Sequence, residues 1–106
     1  MEETPKDWKL KLRYGKLKTE FSHFTVIADG LVETPDADYG SIAGKAMMGI
    51  KVWAIDTQEA ADLTYYVGEQ IGFKPTGNMQ VFDTDPEQPP KDTPYGYDIN
   101  FTSYDE

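Results

Sequence analysis

His23 is the only histidine in the chain, and there is no cysteine. Those two facts narrow the chemistry before any fold is considered. Without thiols there can be no disulfide framework, thiolate metal site or cysteine nucleophile. His23 is left as the one side chain that titrates near neutral pH, and it could serve as a general base if a carboxylate such as Asp29 oriented it. Ser22 is its neighbour in sequence. In a strand, however, adjacent residues point to opposite faces, so the pair cannot act as nucleophile and base. The competing reading of His23 is a polar position on a sheet face.

Asp36 and Asp38 alternate with Gly40 in the loop ETPDADYGSIAG, residues 33–44. This spacing is similar to the opening of a calcium loop. Counting Asp36 as the first position, the third ligand falls on Gly40 and the twelfth on Met47, where a bidentate glutamate is needed. The acids are therefore expected to solvate an exposed loop, with Asp36 and Asp38 the candidates should a cation bind. Asp83, Asp85 and Glu87 are read the same way. No cofactor is expected. The glycines between 40 and 49 match neither a phosphate loop nor a dinucleotide fingerprint.

Two further groups are suited to contact rather than catalysis. Lys9, Lys11 and Arg13 form a basic row, which could receive an acidic partner or simply pair with acids across strands. Tyr95, Tyr97 and Tyr104 follow a proline-rich stretch, and tyrosine combines large contact area with a polar tip. Alternate residues there could equally fill a core, which is the expectation for Ile99 and Phe101.

The elements that must position these groups follow from periodicity. Trp8, Leu10, Leu12 and Tyr14 alternate with Lys9, Lys11 and Arg13, predicting a half-buried strand. Residues 21–31 predict a second strand ending at Asp29-Gly30, and the two are expected to pair as a hairpin. Lys45 to Ile55 predicts a central strand covered on both faces. Asp56-Thr57-Gln58-Glu59 fits a capping box. Ala60, Leu63, Val67 and Ile71 then recur at helical spacing, so a helix is predicted over 57–71 with Gly72 ending it. Pro75-Thr76-Gly77 reads as a turn and 78–83 as a strand. The prolines between 85 and 94 exclude regular structure there. A last strand is expected with Tyr95, Tyr97, Ile99 and Phe101 on one face.

The sum is an α+β domain: an antiparallel sheet of about five strands in the order β-β-β-α-β-β, with one amphipathic helix across one face. Its 106 residues, with 39% hydrophobic and 13% aromatic side chains, fit one folded domain, with residues 1–6 frayed. The N-terminal sequence lacks the apolar stretch of a secretory signal, and no apolar run approaches the roughly 20 residues of a bilayer-spanning helix. A cytoplasmic location is expected.

Net charge is −9 and unevenly spread. Residues 1–18 hold six cations against three acids, whereas residues 19–106 hold four against sixteen. That balance disfavours nucleic acid and anionic membranes as partners and favours a basic protein. The expected function is a non-catalytic interaction or regulatory module, such as an acidic inhibitor of a basic enzyme. The alternative is a small enzyme or ligand-binding protein using His23 and nearby carboxylates.

Overall fold

Eleven-residue strands β1 (Ser22–Val32) and β2 (Gly44–Ala54) lie antiparallel at the centre of the sheet. The computed structural model describes residues 8–15, 17–35 and 42–104. In register, Phe24 faces Val52, Val26 faces Ile50 and Ala28 faces Met48, so the buried residues of both strands share one side. Helix α2 (Thr57–Ile71) covers that side. Its Leu63, Val67 and Ile71 pack on the strands' aliphatic row, and Ala60 is fully buried within it. Burying each large aliphatic side chain contributes about 1.5–3 kcal/mol.

The helix starts and stops where its sequence signals say. The Asp56 carboxylate accepts the Glu59 N–H at 2.8 Å, and the Glu59 carboxylate accepts the Ile55 N–H at 2.8 Å. Gly72 ends the helix at φ 84°, a left-handed conformation that costs glycine little.

Strand β3 (Phe73–Asp83) pairs with β1, and β4 (Tyr95–Ser103) pairs with β2, both antiparallel, giving the order β3-β1-β2-β4. Among the described residues the sheet thus has four strands rather than about five. The difference lies in the first element. Trp8–Arg13 is a short helix, α1, and not a strand paired with β1. Lys, Leu and Arg are all good helix formers. Both neighbours of β1 are already taken by β2 and β3, so an alternating segment there would have no ladder to join. On the helix, Trp8 and Leu12 fall one turn apart on a single side.

Two irregularities re-aim side chains. In β3, Pro75-Thr76-Gly77 is not a turn but part of the strand. Ala28 faces Met79 and Gly30 faces Pro75, so residues 76–78 bulge opposite Asp29. In β4, Gly49 faces Asn100 but Lys51 faces Tyr97, so Asp98 and Ile99 together oppose Ile50. Asp98 takes φ 54° at this bulge. The bulge splits the expected single face. Tyr95 and Tyr97 turn away from α2, whereas Ile99 and Phe101 pack with the core beneath it, Phe101 lying 5.5 Å from the Phe73 ring.

Asp56→Ala is expected to lower the unfolding free energy by about 1 kcal/mol through loss of the cap. Gly30→Ala should cost more, about 1–3 kcal/mol, because a Cβ there meets the Lys74 carbonyl and stands 2.6 Å from Phe73 Cζ. Urea denaturation of both variants checks the ranking; equal or reversed losses contradict this packing.

Candidate functional site

His23, the second residue of β1, lies on the face turned away from α2, directly opposite Trp53 of β2. It is 6% exposed, and its ring meets the Trp53 ring edge-on at 5.1 Å. Tyr97 comes in from β4, and Thr84 from the residue after β3. The strand order explains the meeting. The chain leaving β3 on one edge must reach β4 on the other edge, and the direct path crosses the ends of β1 and β2, where His23 and Trp53 sit.

Nδ1 of His23 lies 3.0 Å from the Thr84 carbonyl, which can only accept, so Nδ1 carries the proton. Nε2 is then the acceptor, and the Tyr97 hydroxyl donates to it at 2.6 Å. The Tyr97 oxygen in turn accepts the N–H groups of Glu87 at 2.9 Å and Gln88 at 3.2 Å. Every polar position of both rings is used. The crossing is tied down further by the Trp53 indole N–H to the Gln88 carbonyl at 2.8 Å and by the Tyr95 hydroxyl to the Pro89 carbonyl. Lys51 bridges Glu87 at 3.1 Å and Asp98 at 2.6 Å.

The electrostatics agree with a neutral ring. Burial pushes the His23 pKa below its ordinary value; the Thr84 hydrogen bond opposes this, and the Lys51 charge adds to the lowering. Burial likewise pushes the Tyr95 hydroxyl up to about 12. Lys51 is held above its usual value chiefly by its hydrogen bond to Asp98. A general base needs a free lone pair aimed at substrate. Here the lone pair of Nε2 is occupied by Tyr97 inside the fold.

Asp29 is not brought to His23. Six residues along the same strand separate them by about 20 Å. Asp29 instead accepts a hydrogen bond from the Tyr104 hydroxyl, beside a hollow of about 230 Å³ lined also by Ile27, Met47, Asn78 and Gln80. Tyr104 is exposed, Tyr95 half-buried and Tyr97 buried, so the three tyrosines do not form one surface. Lys9, Lys11 and Arg13 lie on α1, whose Leu12 packs against the cluster of Phe21, Trp53 and Tyr97. Asp36 and Asp38 lie outside the described residues. Among those described, no three His, Cys, Asp or Glu side chains are grouped to hold a metal. No described helix is long and apolar enough to cross a membrane.

The sequence places Tyr65 and Tyr66 near the polar side of the helix without marking them as contact residues, and α2 leaves them 50% and 61% exposed. The signal was present: both fall off the apolar stripe of the helix, at positions that usually carry charge.

Comparison with known proteins finds no matching family model, no matching curated protein and no matching solved structure.

Two outcomes follow from the closed network. Tyr97→Phe is expected to cost about 1–3 kcal/mol, because the Glu87 and Gln88 N–H groups and His23 Nε2 lose their partner. Hydrogen exchange at residues 87 and 88 should accelerate. Because the folded pKa of His23 lies below its unfolded value, the unfolded chain binds the proton first. Stability from this group is therefore complete above about pH 6.5 and falls as pH drops towards the lowered folded value. Denaturation measured at pH 7 and pH 5 should show that loss in the native chain and a smaller one in His23→Gln. An equal loss in both would contradict the assignment.

Proposed function

We propose that this chain is a non-catalytic interaction module of the cytoplasm, an acidic partner for a basic protein. The observation that carries the reading is how the aromatic side chains divide. His23, Tyr95 and Tyr97 are committed to holding the segment between β3 and β4. Tyr65, Tyr66, Phe82 and Tyr104 stay between 46% and 61% exposed. Aromatic side chains of this kind supply most of the energy in many protein contacts. A net charge of −9 steers a basic partner towards them. An inhibitor of a basic enzyme is one form such a module takes.

The test is retention from a native extract on the immobilised full chain at low ionic strength, followed by reconstitution with the purified retained protein. A basic protein is expected to bind in fixed stoichiometry, with an association rate that falls steeply as salt rises. If nothing is retained at low salt, or if the retained proteins are acidic and insensitive to salt, the reading fails.

A further inference from the structure

Helix α2 carries its functional asymmetry on the side away from the sheet. Gln58, Asp62, Tyr65 and Glu69 follow one another at spacings of four, three and four residues, so they form a single outward stripe. Tyr66 lies beside it. The helix holds Glu59, Asp62 and Glu69 and no cation. Glu69 stands in the last turn, where the helix dipole is negative and a carboxylate is disfavoured. Nothing in the helix compensates it, for no basic residue occupies that turn. Such a placement favours a nearby cation, and the groove itself supplies only Lys74.

A groove of about 440 Å³ runs beside this stripe, lined by Glu33, Tyr65, Glu69, Gly72, Phe73, Lys74 and Pro75. Its walls are fixed before anything binds. The Glu33 and Thr34 N–H groups both donate to the Gly72 carbonyl, at 2.8 and 3.2 Å. Gly72 approaches Thr34 so closely that a Cβ would strike the Thr34 carbonyl at 2.5 Å. Phe73 is 2% exposed and closes the floor. The groove therefore offers apolar wall from Tyr65, Phe73 and Pro75, with carboxylates Glu33 and Glu69 at its rim against the single cation Lys74.

Resting on the interaction-module reading, we infer that the groove between the C-terminal half of α2 and the start of β3 is the docking site for an arginine-rich segment of the basic partner. An arginine side chain suits both parts of it. The aliphatic stem and planar guanidinium pack against Tyr65 in the groove, with the exposed Tyr66 beside it, while Glu33 and Glu69 accept its N–H groups. A second copy of this chain fits poorly, because its −9 charge repels another like it.

The test uses a hexa-arginine peptide titrated into the ¹⁵N-labelled full chain, with hexa-glutamate as control. Shift changes are expected to concentrate at residues 33, 65, 66, 69 and 72–75. Glu33→Gln with Glu69→Gln should weaken binding about fivefold to tenfold at thermal stability no lower than that of the native chain, and Tyr65→Ala with Tyr66→Ala should weaken it further. Shifts spread over all acidic residues, shifts centred on Asp83–Glu87, no binding, or dimerisation through this face in sedimentation would each overturn the assignment. The same variants are then applied to partner retention. If the native chain retains a basic protein and the four-site variant retains it equally, the groove is refuted while the module reading stands. If the native chain retains none, the module reading falls as well.

Discussion

Strands β3 and β4 lie on opposite edges of the sheet, so the segment between Asp83 and Tyr95 must cross the ends of both central strands. Four prolines in that stretch bar it from pairing as a strand of its own. Its backbone groups need partners from side chains instead. His23 from β1, Trp53 from β2 and Tyr97 from β4 supply them, through Thr84, Gln88 and Glu87. The histidine is suited to this because a neutral imidazole both donates and accepts. Here it joins the segment's entry at Thr84 to the far edge strand at Tyr97. The side chain best fitted to catalysis by type is thus absorbed by topology.

That crossing also gives the two faces of the sheet different characters. The α2 face is an apolar core closed by one helix. Among the described residues, the other face is covered at one end by the segment after β3 and by Leu12 of α1. α1 carries Lys9, Lys11 and Arg13 and α2 carries only acids, but Glu87 and Asp98 also lie on the α1 side, bound to Lys51.

Much of this was legible in the sequence. The capping box at Asp56, the apolar stripe from Ala60 to Ile71 and the stop at Gly72 read directly as the helix, because each signal is local. The central strands were legible through their alternation. Trp8–Arg13 was not, since a six-residue alternation of Leu with Lys and Arg satisfies a strand pattern while its composition suits a helix, and only the occupancy of both edges of β1 decides. Residues 75–77 misread for a related reason: proline and glycine mark a bulge on an edge strand as readily as a turn. The orientation of Tyr97 was hidden by the bulge at Asp98, which shifts the phase of β4 within a single residue. His23 was found as the site residue, but its role depends on Thr84 and Tyr97, which lie 61 and 74 residues away.

The account turns on His23 being a neutral clip rather than a reagent, and the imidazole nitrogens report this directly. Long-range ¹H–¹⁵N spectra of the folded full chain, recorded from pH 7.5 down to pH 5, should show a neutral ring protonated on Nδ1 at the start and a titration displaced to lower pH than that of a free histidine. A ring protonated on Nε2, or one that titrates near 6.5 like an exposed side chain, would contradict it.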